Sequence, residues 1–175
     1  MLDIAGSAKR SFVFPADLST AFLYYSDLSK TLPFLPHISV LRKHTEDQYR
    51  VLYSTTEMGI YQVRIICDFQ AECDQLEWGL RIHPLEDIKP PSIEAGFYSL
   101  TGYGLFNSES DFFADGKRTL IVYRLKLAAR LPVPAGIRLM PKAVLNTIAH
   151  SITDWRIQEI AEGFIEKSIR AFKRK

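Results

Sequence analysis

Apolar and polar residues alternate along residues 61–73, and this pattern restricts the fold more than any other feature of the sequence. The odd-numbered positions from Tyr61 to Cys73 are apolar, and the even-numbered positions are polar except for Ile66. Successive side chains of a β-strand point to opposite faces of its sheet. The segment is therefore predicted to be a strand with one buried and one wet face, as is typical of an antiparallel sheet.

Period-two patterns extend from Ile38 to Leu131, and a short β-prone segment precedes them near the N-terminus. A tight turn is predicted at Asp74–Gln75 and another at Asp115–Gly116, because these residue types favour turns. The predicted strands, in chain order, are Ser11–Phe14, Ile38–Lys43, Tyr49–Thr56, Tyr61–Cys73, Leu76–Ile82, Gly96–Asn107 and Thr119–Leu131.

Helical patterns flank the predicted sheet. Asp17 is a plausible N-cap for a helix from Leu18 to about Ser26, and a second short turn follows it before two prolines stop further helix growth. Pro141 suits the first turn of a long helix that runs to about Phe172, a length of roughly 48 Å.

These elements predict an α+β fold. A sheet with one apolar face needs a cover, and the C-terminal helix is the element long enough to supply it. We expect a single domain over residues 1–175, with an antiparallel sheet of six to seven strands wrapped round this helix in a helix-grip fold. Such a grip often leaves a cavity between the sheet and the helix.

Composition and charge exclude several other classes. With 47% hydrophobic and 24% charged residues the chain is not disordered. A net charge of +2 argues against a strongly basic nucleic-acid binder. The longest segment without charged residues, Ala95–Ser108, is too short and too polar to span a bilayer. No secretory signal is visible in Met1–Arg10, so a cytoplasmic location is expected.

No catalytic or metal-binding set is predicted. The four histidines, His37, His44, His83 and His150, lack metal-ligand spacing, and no GxSxG, P-loop or GxGxxG motif occurs. Cys67 and Cys73 would be about 20 Å apart on one strand, too far for a disulfide. The inferred buried faces of the two clearest strands carry no carboxylate, so no acid–base pair, catalytic residue or cofactor is expected.

The order of elements resembles the START-like superfamily, which includes pathogenesis-related allergens, polyketide cyclases and lipid-transfer domains. Four features carry the resemblance: the segments Phe12–Asp17 and Leu32–Ile38, the antiparallel strands, and the terminal helix through Trp155–Phe172. More narrowly, the chain is similar to a branch common in cyanobacteria and plastids. The resemblance implies a hydrophobic ligand between helix and sheet, without naming that ligand or a catalytic motif.

The residues expected to line the cavity are aliphatic, aromatic or hydroxylated positions with inward parity. They are Tyr61, Val63, Ile65, Trp78, Leu80, Ser99, Tyr103, Tyr123, Leu125, Ile148, Ile152 and Trp155. Such groups could orient an apolar ligand through a few hydrogen bonds, or they could simply be core residues. His150 is a further polar candidate at the edge of the helical stripe.

Charge is unevenly distributed along the chain. Residues 68–115 hold ten acids and two bases, residues 116–153 hold seven bases and no acid, and five bases follow from Lys167 to Lys175. Cross-strand pairing explains much of this pattern. It explains Arg130, Arg138 and Lys142 less well, because they flank apolar residues of the loop after the last strand. We expect this loop to act as a lid or to contact an anionic membrane surface.

The predicted function is sequestration or transfer of a hydrophobic small molecule or lipid, with no nucleic-acid partner. One alternative is a cofactor-free cyclase-like enzyme, which would need an acid or base facing the cavity. The other is an interaction or assembly factor with a filled core and a functional basic surface. The sequence leaves the oligomeric state open.

Overall fold

The computed structural model describes residues 1–85 and 88–174, and within these ranges it contains eight strands and three α-helices. The strands are β1 (Leu2–Phe14), β2 (Ile38–Lys43), β3 (Gln48–Glu57), β4 (Tyr61–Asp74), β5 (Gly79–Pro84), β6 (Glu94–Ala95), β7 (Ser99–Asp115) and β8 (Arg118–Leu131). The helices are α1 (Leu18–Ser26), α2 (Leu28–Thr31) and α3 (Lys142–Lys173), with 3-10 turns at Leu32–Phe34 and Ala135–Ile137.

The strands form one open sheet in the order β1-β8-β7-β5-β4-β3-β2, with the short β6 paired to β7. Its pairings are antiparallel except where Gln62–Cys67 of β4 runs parallel to Ser99–Gly104 of β7. The 32-residue helix α3 covers the inner face. The predicted helix-grip α+β fold is confirmed.

The capping prediction for α1 is confirmed in detail. Asp17 accepts a hydrogen bond from the Thr20 backbone N–H at 3.1 Å and another from the Thr20 hydroxyl at 2.8 Å. The backbone bond is the main reason that the pKa of Asp17 lies below its ordinary value. α3 begins at Lys142, with Pro141 as its N-cap residue.

The core has two parts of different chemistry. Around α1 and the C-terminal half of α3 it is aromatic, with Phe14, Phe22, Tyr25 and Phe112 packed edge to face or tilted against one another and against Phe164. Around the N-terminal half of α3 it is mainly aliphatic. This difference matters because aromatic rings fill the space between the sheet and the C-terminal half of α3, whereas the space beside its N-terminal half is not completely filled.

The first strand is much longer than predicted, since it begins at Leu2 rather than Ser11. Its early residues include Ala5, Gly6 and Ala8, which are too small to give a clear apolar alternation. α3 packs closely here, since a Cβ on Gly6 would lie 3.0 Å from Thr153 Cγ2. Full pairing with β8, from Leu2 opposite Leu131 to Phe14 opposite Thr119, sets the real length.

The face predicted to point inward was wrong for the strand Gly96–Asn107, which corresponds to β7. The even-numbered positions of β7 are the buried ones, so Ser99 and Tyr103 lie on the outer face. The inner face carries glycines where the neighbouring side chains come close: a Cβ on Gly102 would meet Leu131 at 2.4 Å and one on Gly104 would meet Ile65 at 2.7 Å. Because glycine has no side chain, the sequence pattern did not show that the even-numbered positions are the buried ones.

The hairpin after β4 is also longer than predicted. Asp74 Oδ1 accepts from the backbone N–H groups of Leu76 and Glu77, which stabilises a turn through Trp78. Leu76 is almost fully exposed, and Trp78 has a positive φ of 49°. β5 therefore starts only at Gly79, and neither Leu76 nor Trp78 belongs to a strand face.

The outer face bears cross-strand ion pairs, as the charge pattern indicated. Asp111 bridges Arg81 of β5 and Arg124 of β8, and Arg130 pairs with Asp3 of β1 at 3.1 Å. Of the charged positions counted in the sequence, Glu86, Asp87 and Lys175 lie outside the described residues.

Neither cysteine is in a disulfide; Cys67 is buried and Cys73 is exposed. No helix within residues 1–85 and 88–174 is both long and apolar enough to cross a membrane.

Candidate functional site

A cavity of about 110 Å³ lies between the N-terminal half of α3 and the inner face of the sheet. Strands β1, β3, β4, β7 and β8 contribute to its walls, and the loop after β8 covers one end. The lining residues are mainly aliphatic: Leu2, Ile4, Tyr53, Glu57, Met58, Tyr61, Val63, Ile65, Leu100, Leu127, Leu131, Pro134, Ile137, Met140, Leu145, Ile148, Ala149, Ile152, Thr153, Arg156, Ile157 and Ile160.

The cavity opens where its lining residues reach solvent. Met58, in the turn between β3 and β4, is 59% exposed, and Met140, just before α3, is 38% exposed. The residues from Pro132 to Pro141, which we call the mouth loop, lie beside them. The backbone N–H groups of Ala135 and Gly136 donate to the carbonyls of residues 96 and 97, so this loop is tied to the segment before β7.

Five of the predicted lining residues lie together on the cavity wall. Tyr61, Val63 and Ile65 come from β4, whose odd positions face inward as expected, and Ile148 and Ile152 come from one stripe of α3. Any role for them in holding a ligand remains a proposal. Both groups belong to long, strongly periodic elements, so their parity could be assigned from the sequence.

The other predicted lining residues lie elsewhere. Leu80, Tyr123 and Leu125 do face inward, but they pack in the core away from the cavity. Trp78 packs its ring against Phe22, with centroids 5.4 Å apart. The face of the sheet to which a side chain points follows from strand periodicity, whereas its position along the axis of α3 depends on how the sheet twists.

Four further candidates are exposed to solvent or turned to the outer face. Trp155 is 58% exposed, with the Arg156 guanidinium over its ring at 4.2 Å. Ser99 is exposed, and the Tyr103 hydroxyl donates to the Leu85 carbonyl at 3.4 Å on the outer face. His150 is also exposed, on the solvent side of α3.

The three basic residues near the mouth loop fall into two groups. Arg130 is already paired with Asp3 on the neighbouring strand. Arg138 and Lys142 are exposed and have no ion-pair partner within the described parts of the chain. Between them lies Leu139, which is fully exposed.

An ion pair on the cavity wall was not predicted. Glu57, at the end of β3, accepts from Arg156 Nε at 2.8 Å and from its Nη2 at 3.2 Å. Glu57 is only 8% exposed. The expectation of no carboxylate was made for the strands Tyr61–Cys73 and Leu76–Ile82, but β3 supplies one to the same cavity.

Two more groups extend this ion pair. Arg156 Nη1 donates to Glu159 at 2.6 Å, and His37 Nε2 lies 3.3 Å from the same carboxylate. Burial acts to raise the pKa of Glu159, but the bonds from Arg156 and His37 outweigh it and hold that pKa below its ordinary value. The pKa of Arg156 is raised, because the bonds to its two carboxylates outweigh its own desolvation.

A sequence signal for this pair existed. Glu57 has the same odd parity as Tyr49, Val51 and Tyr53, all of which are buried on the inner face of β3. Arg156 follows Ile152 by four residues and so shares its helical stripe. Within residues 1–85 and 88–174, no group of three or more His, Cys, Asp or Glu side chains could hold a metal ion.

Comparison with known proteins identifies solved structures with a similar fold. No family model and no curated protein matches the chain. Among solved structures, a protein of Thermus thermophilus is 17% identical, with a TM-score of 0.55 over 95% of this chain and 98% of that one. The Zhui aromatase/cyclase of Streptomyces sp. R1128 is 11% identical, with a TM-score of 0.58 over 97% and 94%.

A third solved structure gives a similar result. The di-domain aromatase/cyclase StfQ, from the steffimycin biosynthetic pathway, is 10% identical, and its TM-score is 0.52 over 96% of this chain and half of that one. At these identities the likeness concerns the fold. The chain therefore has a helix-grip fold similar to the folds of these three proteins.

Proposed function

We propose that this protein binds a hydrophobic small molecule or lipid in the cavity under α3 and sequesters or transfers it. The observation that carries the proposal is the aliphatic cavity itself, which opens to solvent beside Met58 and Met140. Burial of apolar ligand surface there would contribute about 25 cal/mol per Å², before the costs of ordering the ligand.

The cavity volume narrows the class of ligand. A dry apolar cavity of roughly 150 Å³ holds benzene, whereas sites for drug-sized molecules are about 300–1,000 Å³. At about 110 Å³ this cavity suits a small ring or a short aliphatic segment. A larger ligand would insert one end and leave the rest in the mouth.

The direct test is native mass spectrometry of protein purified gently from its own source organism, followed by organic extraction. We expect a stoichiometric apolar passenger. A clean apo mass under these conditions would contradict stable carriage and favour a filled core with a functional surface.

A cavity-filling variant tests the location. Ala149 lines the cavity on α3, and Ala149→Leu would occupy part of its volume. We expect at least a tenfold loss of affinity for the extracted passenger. Ala143→Leu, an exposed position on the same helix, is the matched control and should bind as the wild type does. Equal affinities for all three proteins would place the ligand elsewhere.

A cyclase-like reaction is supported less well. Glu57 supplies a carboxylate to the cavity, but both of its oxygens already accept from Arg156. A general base needs a free acceptor of suitable pKa within reach of the proton that it removes. The arrangement favours binding over proton transfer.

We also propose that this protein works in the cytoplasm and contacts an anionic membrane surface through its mouth loop. Leu139 is fully exposed between Arg138 and Lys142, two bases that have no ion-pair partner among the described residues. Phe97 and Tyr98, in the segment bonded to this loop, are also more than half exposed. Apolar side chains flanked by cations suit the surface of a bilayer that contains anionic lipid.

A further inference from the structure

The guanidinium of Arg156 is the most firmly held polar group on the cavity wall. Three hydrogen bonds hold it, two to Glu57 and one to Glu159, and the ring of Trp155 lies against it. Its side chain is only 15% exposed. A group fixed in this way pays little further entropy when it binds a ligand atom.

Arg156 retains donor capacity after these contacts. A guanidinium has five N–H groups, and three of them make the bonds to Glu57 and Glu159. Within the described residues no acceptor is bonded to the other two, one on each terminal nitrogen. A ligand oxygen in the cavity could therefore accept from Arg156 without breaking the ion pair.

The charges around Arg156 decide what kind of oxygen this is. Glu57 and Glu159 together carry two negative charges against one positive charge, and His37 adds a second positive charge only when protonated. A ligand carboxylate would lie close to Glu57 within a low-dielectric wall, where repulsion is much stronger than in water. A cationic ligand group would instead be repelled by the guanidinium of Arg156.

We propose that the cavity takes a neutral ligand, with an apolar body and one carbonyl or hydroxyl oxygen, and that Arg156 donates to this oxygen. This inference rests on the proposed ligand-binding function. It excludes free fatty acids and amines as preferred ligands and favours ketones, esters, aldehydes and alcohols of the same skeleton.

The test is a probe series with one carbon chain and different head groups: 2-octanone, 1-octanol, octanoate and octane, each measured by calorimetric titration of the full-length protein. We expect the ketone and the alcohol to bind at least tenfold more tightly than octane and octanoate. If octanoate bound as tightly as 2-octanone, the inference that the cavity prefers a neutral ligand would be overturned.

A double variant tests the role of Arg156. Glu57→Gln/Arg156→Met removes both partners, because removing one would leave an uncompensated charge in the wall. We expect the preference for 2-octanone over octane to fall to about one, with the affinity for octane unchanged. The control is Glu166→Gln/Arg170→Met, an exposed pair on the same helix, which should keep the wild-type preference.

The outcomes separate the two proposals. If none of the four probes binds the wild type, the ligand-binding function fails. If all bind with equal affinity, that function stands and the role of Arg156 fails. Should the double variant not fold by circular dichroism, Glu57→Leu/Arg156→Leu replaces both buried charges by aliphatic side chains, and an unchanged ketone preference in that variant would also overturn the inference.

Discussion

Small residues determine how closely α3 approaches the rest of the molecule. Gly163 lies on α3 where the chain crosses Pro36, and a Cβ added to it would be 2.4 Å from the Pro36 ring. Glycine in the middle of a helix normally costs about 1 kcal/mol relative to alanine. Here the close contact outweighs that cost, because a proline ring cannot rotate out of the way.

We therefore expect Gly163→Ala to lower the free energy of unfolding by about 1 kcal/mol, since overpacking typically costs 1–3 kcal/mol. Urea denaturation followed by circular dichroism measures this change. Ser151→Ala, at an exposed position of the same helix, is the control and should be neutral or slightly stabilising. A more stable Gly163→Ala protein would mean that helix propensity dominates at this crossing.

The two halves of α3 serve different purposes. Its C-terminal half packs Phe164 and Phe172 into the aromatic part of the core, beside Tyr25 and Phe14. Its N-terminal half presents Ile148, Ala149 and Ile152 to the cavity. The aromatic end anchors the helix, so the cavity end can keep unfilled space without loss of the fold.

Ion pairs connect neighbouring strands on the outer face of the sheet. Asp111 of β7 accepts from Arg81 of β5 and Arg124 of β8, so one carboxylate connects three strands. Its burial acts to raise the pKa of Asp111, but the two guanidinium groups lower it more, and the pKa lies below its ordinary value of 3.8. A carboxyl with a depressed folded-state pKa stabilises the fold above its unfolded-state pKa.

We expect Asp111→Asn to be less stable than the wild type near neutral pH, with the difference shrinking as the pH falls below 3.8 toward the folded-state pKa of Asp111. Urea unfolding at about pH 6 and about pH 3 measures both differences. Asp115→Asn is the matched control, since Asp115 pairs with Arg118 across the turn between β7 and β8 and both side chains are exposed. A difference that is the same at both pH values would show that the bridge does not contribute as an ionised group.

At the scale of the whole molecule, the cavity, its opening and the exposed apolar residues of the mouth loop and of the segment bonded to it lie at one end. Leu131 and Pro134 line the cavity there, and Leu139 of the mouth loop lies between the bases Arg138 and Lys142. Lys117 and Arg118 lie at the opposite end of β8. A membrane-docked orientation would therefore place the opening toward the lipid.

We expect the protein to co-sediment with vesicles that contain anionic phosphatidylserine, and the binding to weaken as salt is added. Arg138→Glu/Lys142→Glu should reduce this binding at least tenfold. Lys117→Glu/Arg118→Glu changes the charge equally at the far end and should bind nearly as the wild type does. Absence of salt-sensitive binding by the wild type would remove the membrane proposal.

Local sequence patterns were enough to predict the types of most elements, the fold class and the facing direction of the strongly periodic strands. Asp17 and its helix could be assigned because a cap acts on backbone groups three residues away. Tyr61, Val63 and Ile65 could be placed on the inner face because strand parity is a local property. Both depend on interactions between near neighbours in the chain.

The folded structure was needed to show which inward-facing residues surround the cavity and which charged residues lie on its wall. Gly102 and Gly104 hid the parity of β7, because a missing side chain leaves no hydrophobic signal where another element comes close. Tyr123 and Ile65 both face inward, yet the twist of the sheet along α3 places one in the packed core and the other on the cavity wall. Glu57 and Arg156 are 99 residues apart in sequence and meet only when the sheet closes round the helix.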